Sequence, residues 1–374
     1  MKYFFALVLS LLSLLSGAKA PGQTAYTMQD LGTLGGPDVR VTGLNNKGDV
    51  VAQLFDNVAT ARTALYSNGV LKDITAQVGN AGGINDSGQI ATTTGVYNAT
   101  GFTGQAALYN IHTGQTQIIG PANAPASIAF AVNQNGVAIG QVAIQNKPFQ
   151  SYYAALYRNG QTIPLSNFAD GGYPEQPTAI NNHDQIVGIG ASIRGYHCPF
   201  LYSGGVSYDL GTLPGGRTAG ATGINDSGTV VGYSEYDSAG GRYHPFIYQN
   251  GKMRDLGTFG GPSGGAAGIN TAGVIVGSAE TLSARGLIRS APFVYSNGVM
   301  RNLFDMIPDG AAWNEGFGEA INDNGQIAGE AFHNGGLHIF LATPVAVPEP
   351  GAFGLLAAGI LTLGALLRRR CRAA

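Results

Sequence analysis

Seven times along this chain a small residue and an aliphatic residue lead into Asn-x-x-Gly and then a short apolar stretch. The copies are GLNNKGDVVA from Gly43, GINDSGQIAT from Gly83, AVNQNGVAIG from Ala131, AINNHDQIVG from Ala179, GINDSGTVVG from Gly223, GINTAGVIVG from Gly268 and AINDNGQIAG from Ala320. Their asparagines (Asn45, Asn85, Asn133, Asn181, Asn225, Asn270 and Asn322) stand 40 to 52 residues apart, the period of propeller blades and far above that of a solenoid coil. Each copy has the chemistry of a hairpin. Asn bonds the backbone two residues on and opens a type I turn, and the Gly three positions later takes the φ > 0 of the bulge that closes a three-residue loop. In the fourth copy Asp184 stands at that Gly position, where a left-handed backbone is better tolerated by Asp than by most residues. As fragments of calcium loops, NDSG and NDNG lack the alternating carboxylates and the distal Glu, so the turn reading is preferred.

Two further elements follow each hairpin. One is an aromatic strand, ALYSNG, ALYN, ALYRNG, FLYSGG, FIYQNG and FVYSNG, with Tyr66, Tyr109, Tyr157, Tyr202, Tyr248 and Tyr295 and a degenerate seventh copy at Phe340. The other is a returning strand ending in Asp-Leu-Gly or a relative, as at Asp73, Ile118, Pro164, Asp209, Asp255 and Asn302. With the strands into and out of the Asn turn, this makes four antiparallel strands per unit, the composition of a propeller blade, apolar nearly throughout because both faces of a blade are covered. The residue before the aliphatic position is always Gly or Ala, as an innermost strand crowded at an axis requires. The seventh unit lacks its last strand after Thr343, whereas an unpaired copy, Tyr26 to Gly36, precedes the first hairpin. If that segment completes the seventh sheet, the ring closes on itself. The expectation is therefore an all-β, seven-bladed β-propeller of four-stranded antiparallel blades over residues 21–345, closed by the N-terminal strand. Composition agrees: 58 glycines and only 11 % charged residues exclude a coiled coil and a basic nucleic-acid binder, and glycine without a triplet period excludes collagen.

The repeats resemble the HAF family of extracellular bacterial repeats. The match lies in DLGTLGG at Asp30, DLGTLPGG at Asp209, DLGTFGG at Asp255, the GIN-x-x-G hairpins, His244-Pro245-Phe246 and His338-Ile339-Phe340. Other copies depart from the pattern, since Ala106-Ala107-Leu108 and Ala154-Ala155-Leu156 lack the His, and an extra residue separates His197 from Phe200. The resemblance implies repeat architecture and an extracellular location and carries no activity.

The two ends read as addresses. Residues 1–20 have the form of a secretory signal, with Lys2, an apolar stretch and a cleavage pattern at Ala18-Lys19-Ala20; Pro21 disfavours a cut after Ala20, which leaves Ala18 as the alternative for signal peptidase. Residues 346–374 contain Pro348-Glu349-Pro350, an apolar run from Gly351 to Leu367 at the lower edge of a membrane span, and Arg368, Arg369, Arg370 and Arg372. This order resembles the PEP-CTERM sorting signal of Gram-negative bacteria, which implies a C-terminal transmembrane sorting helix, transient anchoring in the inner membrane, processing by exosortase, and release to the cell surface or medium. Without both ends the body keeps 14 of 20 Lys plus Arg and 21 of 22 Asp plus Glu, near −7, so no electrostatic attraction to nucleic acid or anionic lipid is expected.

The residues offer little catalytic chemistry. Of two cysteines, Cys371 lies in the tail and Cys198 has no partner for a disulfide; a metal site at His197 and Cys198 lacks a second ligand pair. HExxH, CxxC and phosphate loops are absent. No cofactor or metal is expected, and no catalytic residue is assigned. A carboxylate pair drawn from Glu235, Asp237, Glu280, Glu315, Glu319 and Glu330 is the one enzymatic alternative, a polysaccharide hydrolase or lyase. The irregular stretch Phe304 to Glu319 holds the sole Trp. Exposed, Trp313 with Glu315 and Phe317 is a candidate binding patch for a sugar; buried, the preferred reading, Trp313 caps the seventh blade. The function expected is a non-catalytic binding scaffold at the surface, associated with extracellular polysaccharide or a surface protein, or a purely structural matrix component.

Overall fold

A computed structural model describes residues 25–345 apart from 58–59, 99–100, 145–150, 238–239, 283–285 and 309–311. The signal segment 1–20 and the tail from residue 346, with its predicted sorting helix, lie outside the described residues. Among the described residues twenty-eight strands form seven four-stranded antiparallel sheets. Six blades are built in chain order, over residues 38–73, 81–118, 127–164, 173–209, 219–255 and 260–302. The seventh takes Gly316–Ile321, Ile327–His333 and Gly336–Val345 from one end of the chain and its outer strand, Ala25–Gly32, from the other. The ring proper is residues 28–343; residues 25–27 and 344–345 prolong the two strands. At this closure Leu31 packs in one cluster with Ile339 and Leu341 of blade 7 and Val39, Val41 and Leu54 of blade 1. Among the described residues no helix is long and apolar enough to cross a membrane.

Local turn chemistry sets the blades. In every Asn-x-x-Gly turn the fourth residue donates its N–H to the Asn carbonyl at 2.9–3.2 Å, and that residue has φ between 58° and 82°, Asp184 included. Outer hairpins such as Asn68-Gly69 and Asn159-Gly160 have positive φ at both residues, the type I′ geometry that matches strand twist. At the axis the innermost strands touch: a Cβ on Gly43 would lie 2.9 Å from the Ile84 nitrogen and 3.1 Å from the Gly83 Cα of the next blade.

The blade cores are complementary in volume. Phe200, Phe246, Phe293 and Phe340 are fully buried, each paired across the sheet with a glycine, Gly188, Gly232, Gly277 or Gly329. A Cβ on Gly277 would sit 2.8 Å from the Phe293 ring and 2.1 Å from the Gly265 carbonyl oxygen. Blade 1 instead pairs two alanines, Ala52 with Ala64. One sequence expectation needs correction: the outer strands are not covered on both faces. Val70–Asp73, Gln115–Ile118 and Lys252–Asp255 are mostly exposed, because blades splay apart away from the axis. Four residues long and carrying Lys72, Asp73, Lys252 and Arg254, the two at Val70 and Lys252 are short charged edges that discourage pairing with other chains.

Candidate functional site

The axial channel collects polar side chains from all seven blades. Each repeat asparagine donates an Nδ2 hydrogen to the carbonyl of the next repeat asparagine: Asn45 to Asn85, Asn85 to Asn133, Asn133 to Asn181, Asn181 to Asn225, Asn225 to Asn270, Asn270 to Asn322, and Asn322 back to Asn45, all at 2.9–3.1 Å. In every copy Oδ1 accepts the N–H four residues on, at 2.9–3.0 Å. The N–H two residues on, expected from the turn chemistry, is also accepted by Asn45, Asn85, Asn133 and Asn181. These side chains are 1–6 % exposed, and burial of an amide is tolerated only because its donors and acceptor are used.

The next residue of each turn forms a second circle, open between Asp226 and Thr271 among the described residues. Asn46 bonds Asp86 through its N–H at 2.7 Å and its amide at 3.0 Å. Asp86 N–H donates to Gln134, Gln134 to Asn182 and Asn182 to Asp226, at 2.9–3.0 Å. Thr271 donates to Asp323 through N–H and hydroxyl, and Asp323 N–H returns to Asn46 at 2.8 Å. Burial opposes ionisation of Asp323, but the bonds from Thr271 and Asn46 outweigh it and hold its carboxyl below the usual range. Members of both circles from six blades, all but the second, line a cavity of about 220 Å³ on the axis. The position after each repeat Asn is always Asn, Asp, Gln or Thr, a signal of this second circle that turn chemistry alone does not interpret.

Deeper along the axis, at the bulged position of the innermost strand, the hydroxyls of Thr42, Thr178 and Thr222 donate to carbonyls of the following blade at 2.8–3.1 Å. Blade 7 has Glu319 in this place, next to Glu330 of its second strand; of the six candidate carboxylates these are the two brought together. Glu330 Oε2 accepts the Val41 N–H of blade 1 at 3.3 Å. Burial first, then the Glu319 carboxylate, push the Glu330 carboxyl far above the usual carboxylate range, with Arg40 and Asp38 as the other charged neighbours. Burial also raises Glu319, against the pull of Arg40. Glu330 occupies the position of Gln53 and Gln141, whose amides donate to the carbonyls of Ala81 and Glu175 in the next blade, whereas Glu330 accepts an N–H from it. An acid whose folded pKa is raised leaves stability intact below 4.5, its free value, and stability falls as pH climbs from there toward the raised folded value. Glu330→Gln is expected to flatten this dependence, measured by urea unfolding at pH 5 and pH 9; an unchanged slope would rule out Glu330 as its source.

The remaining carboxylates are separate. Glu235 accepts the N–H groups of Arg217 and Thr218 at 3.0 and 3.1 Å, Asp237 lies 3.7 Å from Arg242, Glu315 lies 3.4 Å from Arg289, and Glu280 accepts the Ser263 N–H at 2.8 Å. Trp313 is 8 % exposed, stacked on His333 at 4.3 Å and edge-on to Phe340 at 6.2 Å, so it caps blade 7. Phe317 pairs across the sheet with Glu330. His197 turns to Glu175 at 3.4 Å. The Cys198 thiol is buried beside Asp209 and pushed up to about 12, by burial first and then by that carboxylate.

The His and Asp of the repeat signature meet. His244 Nδ1 lies 2.8 Å from Asp255 and His338 Nδ1 2.9 Å from Asp30; Arg62 stands in the same register and bonds Asp73 at 3.2 Å. In each case the Asp also accepts the N–H two residues on, at Gly257, Gly32 and Thr75. The pair ties the outer strand to its neighbour and starts the turn to the next blade. Where blade 6 has Asn302 in place of the Asp, Ala291 stands opposite in place of the donor.

No family model and no curated protein matches the sequence. Solved structures do. The chain is similar to the Pyrococcus horikoshii acylaminoacyl peptidase, with a TM-score of 0.52 at 10 % identity over 83 % of this chain and 52 % of that one, so it spans about half the peptidase's length. A prolyl endopeptidase aligns with a TM-score of 0.49 at 9 % identity over 87 % of this chain and 51 % of that one. TolB from Acinetobacter baumannii aligns with 0.43 at 13 % identity over 65 % of this chain and 66 % of its own. At such identity the likeness to the Pyrococcus peptidase is one of fold: the chain is a seven-bladed, four-stranded β-propeller.

Proposed function

We propose that this chain is an exported, non-catalytic propeller of the HAF-repeat kind. In this reading a PEP-CTERM-type signal at Pro348-Glu349-Pro350 and Arg368–Arg370 routes it through exosortase to the cell surface or medium, where it associates with extracellular polysaccharide. One observation carries the non-catalytic part: the polar side chains gathered at the axis are consumed by one another in hydrogen bonds between blades. Groups saturated in this way hold the ring shut and are poorly placed to exchange protons with a substrate. The opposite face, where connections between blades differ in length and composition, is then the recognition surface.

Two measurements test this. Mass spectrometry of the released protein is expected to find its C-terminus near residues 348–350; released protein that retains Arg368–Arg370 would refute sorting by cleavage. On a glycan array the exported protein is expected to bind polysaccharide fragments without generating new reducing ends. The second reading, a polysaccharide hydrolase, is favoured by one observation, the juxtaposed Glu319 and Glu330 carboxyls, and release of reducing ends that Glu330→Gln abolishes would select it.

A further inference from the structure

Between blades 5 and 6, toward the face of the blade connections, lies a cleft of about 260 Å³. Tyr233 and Tyr243 of blade 5 form one wall, edge to face with ring centroids 5.5 Å apart and planes at 85°. Glu280 of blade 6 lines the other wall. The sevenfold repeat supplies an internal comparison. At the second-strand position of Tyr233, blades 1, 3 and 7 carry Gln53, Gln141 and Glu330, and each bridges to the innermost strand of the following blade. Tyr233 makes no such bridge among the described residues. Across from it the following blade presents Gly264 and Gly265, and a Cβ on Gly265 would lie 3.5 Å from the Tyr233 Cβ. The blade junction is thus left open where those of Gln53, Gln141 and Glu330 are stitched shut.

The lining selects a chemistry. Glu280 Oε2 is fixed by the Ser263 N–H at 2.8 Å, and Oε1 has no partner among the described residues. Ser278 and Ser290 add small hydroxyls. Among the described residues no Lys or Arg lines the cleft and Glu280 is its one charged group, so an anionic ligand is disfavoured. A purely apolar ligand would desolvate Glu280 without replacing its hydrogen bonds. A neutral polyol with an apolar face satisfies both walls. At this volume, just under the usual ~300–1,000 Å³ of small-molecule sites, the cleft admits one ring of a longer chain. We propose that it binds a single neutral sugar ring of an extracellular glycan, the C–H face of the ring against the tyrosines and its hydroxyls on Glu280. This rests on the polysaccharide-associated reading above and gives it a location.

The test is calorimetric titration of the exported protein with cellohexaose, isomaltohexaose and, as an anionic comparison, hexagalacturonate. Tyr243→Ala and Glu280→Gln are expected to weaken binding of a neutral oligosaccharide by about tenfold or more, whereas Tyr243→Phe retains it and Tyr208→Ala, at a tyrosine 51 % exposed on the outer strand of blade 4, leaves it unchanged. Neutral-sugar binding that survives both Tyr243→Ala and Glu280→Gln overturns the cleft assignment and spares the glycan reading. Preference for hexagalacturonate overturns the assigned chemistry. Binding to none of the three overturns the cleft proposal, while the glycan array separately decides the wider reading.

Discussion

Replacing Asn322 by leucine is expected to cost about 3 kcal/mol or more of folding stability, read from urea unfolding of the exported chain. Asn322 closes the asparagine circle, bonding the Asn45 carbonyl 277 positions away in sequence at 2.9 Å and the Gln326 side chain and N–H at 2.8 and 2.9 Å. Leucine has nearly the same volume, so little packing is lost. It removes one of the two donors to the Asn45 carbonyl, which keeps the Gly48 N–H at 3.1 Å, and leaves the Gln326 N–H and side-chain oxygen without their partner in a part-buried setting, at about 1–3 kcal/mol for each group that water does not reach. Asn322→Asp tests the cause, because it keeps the oxygen that accepts from Gln326 N–H and loses the Nδ2 donor. It also sets a carboxylate against a carbonyl oxygen, and an effect at least as large is expected. Asn46→Ala, in the more exposed second circle, is expected to cost under about 1 kcal/mol. Equal effects at Asn322 and Asn46 would show that the inner circle has no special share in holding the ring.

Removal of residues 26–36, with the export signal kept, is expected to destabilise the ring on the order of 5 kcal/mol or more. The outer strand of blade 7 goes, and with it Leu31 from the cluster of Ile339, Leu341 and Val39 and the contact of Asp30 with His338 at 2.9 Å. Leu31→Ala alone is expected to cost about 2–3 kcal/mol. Addition of a peptide of residues 21–36 to the truncated chain is expected to restore cooperative unfolding, since the strand joins its sheet by hydrogen bonds and burial rather than by chain continuity. A truncated chain with an unchanged unfolding midpoint would contradict closure by the N-terminal strand.

The carboxylates and the lone tryptophan show where sequence reasoning stops. Glu319 and Glu330 are eleven positions apart on paired strands, yet nothing in their spacing distinguishes them from Glu235 or Glu280, which bind backbone N–H groups of their own blades. What separates them is burial between blades 7 and 1, a property of the closed ring. The donor opposite each signature Asp is a second case. His244 and His338 are visible as His-x-Phe, but Arg62 fills the same role and becomes its equivalent only when strand register is known. Trp313 is assigned to burial by His333 and Phe340, neither adjacent in the chain.

Turn geometry, blade number and the complementary deficit at the two ends were decided by residues within a few positions of one another. A four-residue turn gains its free energy locally, so Asn, Gly and Asp184 specify it wherever the chain later goes. The partners of the repeat asparagines, the neutral Glu330 and the open junction at Tyr233 were decided only by the assembled ring. Those interactions cross 40 or more residues or depend on exclusion of water, and both exist only once neighbouring blades have packed.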